Sequence, residues 1–118
     1  MTTSLDDLLK ELEAFGRIND ASATERSLRM LNITRDTGQF LALLVNVMTA
    51  RQILEVGTSN GYSTLWLAMA AARVGGTVLT LECSEHKSAL ARANFERSGL
   101  MPYIRQIQDD AGHVFSEL

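Results

Sequence analysis

The chain has 118 residues, 46% hydrophobic and 21% charged, with 11 Lys and Arg against 14 Asp and Glu for a formal net charge of -3. That length and balance describe one ordinary globular domain able to bury its own core. The charge excludes a protein whose main partner is a phosphate backbone, so no nucleic-acid partner is expected.

A single cysteine, Cys83, rules out an internal disulfide. No charged-then-apolar leader and no apolar run of about 18 residues is present, so neither a secretion signal nor a membrane span is expected. A cytoplasmic location follows as the default. In chain order, Ser4 caps a first helix whose Leu5, Leu8, Leu9, Leu12 and Phe15 recur at helical spacing. Asp6 and Asp7 lie in its first turn and Gly16 is its predicted stop. Ser22 with Glu25 three residues on has the form of a capping box and predicts a second helix with Leu28 and Leu31 on one face. From Asp36 to Met48, the residues Phe40, Leu41, Leu43, Leu44, Val45, Val47 and Met48 predict a third helix, largely buried.

From Gln52 the pattern changes to strands alternating with helices. Ile53 to Val56 is a short apolar run closed by Gly57, and Ser63 to Arg73 is rich in Leu, Ala and Met, giving strand, loop and helix. Gly75-Gly76 predicts a turn, Thr77 to Leu81 a strand, and Ser84 to Ser98 a helix stopped by Gly99 and Pro102. Ile104 to Gln108 predicts a third strand, and His113 begins another helix. The fold class is therefore α/β: N-terminal helices over residues 1–50, then a βαβαβ unit with a parallel sheet over residues 51–118.

The most informative segment is Glu55-Val56-Gly57-Thr58-Ser59-Asn60-Gly61-Tyr62-Ser63, which places two glycines between a buried strand and a helix N-terminus. Glycines there permit positive φ and close approach to a ligand, while the helix end offers unpaired N–H groups. Glu82 closes the next strand about 20 residues beyond Gly61, the spacing at which a carboxylate reaches the ribose of an adenine cofactor. A dinucleotide fingerprint would need glycine where Ser59 and Tyr62 stand, so NAD and FAD are disfavoured. Gly57 to Gly61 also satisfies G-x-S-x-G with Ser59 as nucleophile, but helices rather than strands precede it, and His113, which follows Glu82 and Asp109 in the required acid-then-histidine order, lies beside the third strand's loop. Cys83 and His86, with Asp109, Asp110 or His113, do not make a four-ligand zinc site. S-adenosylmethionine fits better, since Glu82, Gly57 with Gly61, and Glu55 supply a ribose acceptor, a backbone surface and an acid for the amino group.

The run from LNITRDTGQFLALL through RQILEVGTSNGYSTLWLA to GGTVLTLECSEHKSALARANFERSGL resembles the cation-dependent O-methyltransferases, which include catechol and caffeoyl-CoA O-methyltransferases. The resemblance covers Met30 to Leu118. It implies a Rossmann-like methyltransferase sheet and S-adenosylmethionine as cofactor, with Glu55, Gly57, Tyr62 and Ser63 around its methionine half and Glu82 on the ribose. It also implies that backbone near Ile33 closes over the cofactor and that Asp110 and Ala111 lie at the adenine, where Asp109 departs from the family's glycine. The resemblance further implies a divalent cation of the magnesium type, a small-molecule hydroxyl acceptor and a homodimer. The family's cation ligands and base belong to segments not found in these 118 residues, so the sequence looks like an N-terminal portion that binds cofactor and lacks catalysis. The rival reading is a non-catalytic oligomerisation or interaction domain with the same fold.

Overall fold

The computed structural model describes residues 4–117. Helix α1 spans Leu5–Ser22 and α2 spans Arg35–Met48. They are followed by β1 (Gln52–Val56), α3 (Tyr62–Val74), β2 (Thr77–Glu82), α4 (Glu85–Ser98), β3 (Ile104–Gln108) and α5 (Ala111–Ser116). The α/β alternation is as the sequence predicts. The three strands are parallel in the order β1-β2-β3, with Val56 opposite Leu81 and Leu81 opposite Ile107. Their carboxyl ends, at Val56, Glu82 and Gln108, therefore share one edge of the sheet, where open α/β sheets place ligands.

Three expectations for the N-terminal half are corrected. Ser4 caps α1 as predicted, its Oγ accepting from the Asp7 amide at 3.0 Å, but the helix runs through Gly16 to Ser22. Gly16 serves clearance: a Cβ there would stand 2.7 Å from Asn32 Nδ2. Ser22 starts no helix, because its hydroxyl donates back to the carbonyls of Ile18 and Asn19. Beyond it lies a single 3-10 turn, Arg26–Leu28. Helix α2 has nearly the predicted bounds but is not largely buried. Val45 is its one buried large side chain, while Phe40 is 56% and Val47 73% exposed.

Helix α3 is the hub. Apolar almost all round, it is built to be covered on several sides. Tyr62, Leu65 and Trp66 pack with Leu8, Leu9 and Leu12 of α1 and Ala91 and Phe95 of α4. Leu67, Ala68, Ala70 and Ala71 pack with Val45 of α2 and Val78 of β2. Gly38 lets α2 lie flat on α3, because a Cβ there would enter the Trp66 ring. On the sheet's opposite face Leu54 and Val56 are 50% and 58% exposed.

Candidate functional site at the carboxyl edge of the sheet

The turn from β1 into α3 is held in a conformation that L-residues avoid. Gly57, Ser59 and Gly61 have φ of 91°, 52° and 92°, values easy for glycine and costly for serine. Backbone bonds fix it to β2, with the amides of Gly57 and Thr58 both donating to the Leu81 carbonyl at 2.7 and 3.2 Å. The Gly61 amide donates to the Thr58 carbonyl, and the Tyr62 amide to Asn60 Oδ1. The amides of Ser63 and Thr64, next in the first turn, have no acceptor among the described residues. They form a donor pair at the positive end of α3.

Two carboxylates flank this turn in different ways. Glu55 accepts from Ser63 Oγ at 2.5 Å, from Thr80 Oγ1 at 2.7 Å and from Thr64 Oγ1. Since a hydroxyl has one proton and Thr80 gives its own to Glu55, the Thr58 hydroxyl 2.6 Å away must donate to Thr80. This relay ties β1, β2 and α3 together under the loop. Glu82 takes one backbone amide on each oxygen, Ser59 at 2.7 Å and Ser84 at 3.0 Å. Oε2 is also approached by the Cys83 thiol at 3.9 Å, so Oε1 is the oxygen that keeps a free lone pair, and the residue is 8% exposed.

Tyr62 anchors the N-terminal helix. Its ring is buried and its hydroxyl donates to Glu13 Oε2 at 2.6 Å. Arg35 binds the same carboxylate through Nε at 3.0 Å, reaches Asp6 at 2.9 Å, and lies 5.5 Å from the Trp66 ring centroid. Burial, then the bond to Glu13, pushes the Tyr62 hydroxyl up to about 12.

A cleft of about 290 Å³ opens above the turn, lined among others by Met30, Ile33, Glu55, Gly57, Ser59 and Ser63. Nothing lies within 4 Å of where a Gly57 Cβ would be.

The profile of a family described as O-methyltransferase matches residues 2–118. The chain is 38% identical over 87 residues to the catechol O-methyltransferase of Mycobacterium tuberculosis, covering 74% of this chain and 39% of that protein. It is 36% identical over 84 residues to the catechol O-methyltransferase of Niastella koreensis, covering 71% of this chain and 38% of that protein. The O-methyltransferase of Bacillus cereus, solved in complex with SAH, superposes on 93% of this chain and 46% of its own with a TM-score of 0.77 and 36% identity. The chain belongs to the O-methyltransferase family. It spans about two fifths of the length of the curated relatives it matches, and its sheet is the Rossmann-like one of the family's solved structures.

In this O-methyltransferase chain the cleft gathers Ile33, Glu55, Gly57, Tyr62 and Ser63. Glu82 meets the same turn through Ser59. Gly61 is not among the cleft-lining residues. Its missing side chain makes room for Phe95 of α4, whose ring edge would be 2.5 Å from a Cβ. Asp110 caps α5, accepting from the His113 amide at 3.3 Å, and Ala111 is that helix's first residue. Their loop is joined to Glu82 by the Asp109 amide, which donates to the Glu82 carbonyl at 2.9 Å. The Asp109 side chain turns to its own helix, where His113 Nδ1 at 2.8 Å and then the Asp110 amide hold its carboxyl below the usual range.

The sequence reading passed over Thr58, Thr80, Asn60 and Asn94, all buried. Thr80 and Asn94 are polar residues at strand and helix positions otherwise apolar, whereas Thr58 and Asn60 lie inside the glycine turn itself. Ser59, weighed as a nucleophile, instead donates to the Met30 carbonyl at 2.8 Å, while His113 engages Asp109 and Glu117. Among the described residues no three His, Cys, Asp or Glu side chains are grouped to hold a metal.

Proposed function

We propose that this chain is the S-adenosylmethionine-binding half of an O-methyltransferase that methylates a hydroxyl of a small molecule. The observation that carries the reading is the turn at Gly57 to Gly61, which opens onto a cleft and bonds to a Glu82 with acceptor capacity left on Oε1. Relatives solved with SAH and with SAM support it.

The donor set suits each part of that ligand. A ribose diol needs acceptors, which Glu82 has. An anionic carboxylate needs N–H donors, which Ser63 and Thr64 offer at a helix N-terminus. The open space over Gly57 admits a chain that a Cβ would block. Bound there, S-adenosylmethionine supplies a sulfonium methyl as electrophile. These residues bind and orient: Glu82 fixes the nucleoside end, Glu55 holds the first turn of α3 rigid through Ser63 and Thr64, and the Met30 to Ile33 segment keeps water from one wall. Asp110 and Ala111 are assigned to the adenine side.

The whole protein's hydroxyl acceptor, its divalent cation, its base and a homodimeric assembly are part of the same proposal. So is the absence of methyl transfer by these residues alone. Cytoplasmic residence is supported by the exposed free thiol of Cys83, which persists best in a reducing compartment. Calorimetry with S-adenosylhomocysteine (SAH) tests the core of the reading. Binding by the wild type that weakens about tenfold or more in Glu82→Ala is expected, the loss of a charged acceptor. No binding by the wild type would leave the rival, a non-catalytic interaction domain.

A further inference from the structure

Between α1 and the cofactor turn runs a strap, residues 28–33, that belongs to neither helix. It is fastened on both sides. From α1, Asn19 Nδ2 donates to the Leu28 carbonyl at 2.8 Å. Asp20 then accepts two consecutive amides, Met30 on Oδ1 at 2.7 Å and Leu31 on Oδ2 at 2.8 Å. Asn32 crosses α1 in the gap left by Gly16. From the cofactor turn, Ser59 Oγ donates to the Met30 carbonyl at 2.8 Å, and the Ser59 amide is itself held by Glu82. The Met30 peptide is thus gripped at its nitrogen by α1 and at its oxygen by the loop. The Met30 side chain is buried, whereas Leu31 is 54% exposed with φ of 52°.

That left-handed leucine is the informative detail. A bulky non-glycine residue gains nothing by itself from this conformation, and its own side chain is not buried in return. What holds it there is the paired acceptance of the Met30 and Leu31 amides by one carboxylate. Burial works to raise the Asp20 carboxyl, but the bonds from Met30 and Leu31 outweigh it and hold the group below the usual range.

We infer that Asp20 is a positioning residue that, together with Ser59, clamps the strap over the cofactor cleft and so sets how readily the cleft opens. The strap supplies Met30, Leu31, Asn32 and Ile33 to the cleft wall, and Asp20 touches none of the ligand space itself. An asparagine at position 20 has a single acceptor oxygen, so one of the two amides would face an N–H donor. The release part of this inference rests on the cofactor reading above. The clamp part stands without it.

Two readouts on the whole chain separate them. Trypsin cleavage after Arg29, followed by mass spectrometry in the absence of ligand, reports strap opening. Stopped-flow with SAH reports association and dissociation. Asp20→Asn and Ser59→Ala should each raise cleavage after Arg29 about tenfold and SAH dissociation by a similar factor, with association within about twofold. Because both fasten one peptide, the double variant should release SAH less fast than the product of the two single effects. Glu25→Gln, which removes a nearby exposed carboxylate outside the clamp, should change neither. Wild-type cleavage and dissociation in Asp20→Asn would overturn the clamp, as would faster cleavage at sites throughout the chain rather than after Arg29. Faster cleavage with unchanged SAH dissociation would overturn the link to the cleft. If the wild type binds no SAH, the cofactor reading fails and the cleavage rates alone decide the clamp.

Discussion

Gly57 and Gly61 share a backbone conformation and differ in what surrounds them, which makes them separable by a single methyl. At Gly57 the Cβ meets nothing, so Gly57→Ala costs only the left-handed penalty, about 1 kcal/mol, yet places a methyl in the cleft. At Gly61 the same penalty is joined by collision with Phe95, raising the cost to about 3 kcal/mol. Urea denaturation paired with SAH titration should therefore show a nearly stable, poorly binding Gly57→Ala and a strongly destabilised Gly61→Ala. Tyr62 gives a second prediction. Folded, it keeps its proton up to about pH 12, whereas a tyrosine in an unfolded chain releases it near about pH 10. Across that window the unfolded state binds fewer protons, so stability falls as pH rises, by about 3 kcal/mol in all. Tyr62→Phe should lose stability at neutral pH by about 1 kcal/mol through the missing bond to Glu13, and should show a shallower alkaline decline in urea midpoints than the wild type.

At the scale of elements, α2 is set on α3 by one missing side chain. Gly38→Ala drives a methyl into the Trp66 ring and should lower stability by about 2 kcal/mol. Gly16→Ala meets only the tip of Asn32, gains helix propensity, and should change stability by no more than about 0.5 kcal/mol. Thermal unfolding of the two variants side by side checks the contrast. These two glycines also show where sequence reasoning stopped short. The strands and helices after Gln52 were legible because Gly75, Gly99 and the β-branched run at Thr77 punctuate them locally. Gly16 was misread as a stop because glycine ends a helix in the left-handed conformation, and nothing local reveals that Asn32 crosses it. Ser22 was misread because its hydroxyl serves its own helix rather than the next one. The site followed the same division: Glu55, Gly57, Ser63 and Glu82 are marked by a contiguous motif and a strand end. The hydroxyl relay through Thr58 and Thr80, and the grip of Asp20 on Met30 and Leu31, depend on pairings between elements that no spacing encodes.

For the whole molecule, the helices that form the core lie with α3 on one side of the sheet, and the other side leaves Leu54 and Val56 half-exposed beside a hollow lined by Gln52, Thr77, Leu79 and Arg105. Among the described residues β1 pairs only with β2. An apolar surface next to an open strand edge favours association, and two-fold symmetry is its commonest form. Light scattering of this chain should show a dimer at high micromolar concentration. Leu54→Lys should shift it toward monomer without unfolding it. Ile53→Lys should unfold it instead, because Ile53 packs against the cluster of Val45, Ala68 and Val78.

The central strand gives the site an uneven lifetime. β2 is hydrogen-bonded along both sides and ends in Glu82, so its amides belong to the part of the chain that exchanges with solvent only on global opening. The Met30 and Leu31 amides depend on one carboxylate of α1 and open by a local fluctuation. A ligand spanning both would therefore slow deuterium uptake in the strap while leaving β2 almost unchanged. The site's permanence is set by the sheet and its responsiveness by the strap.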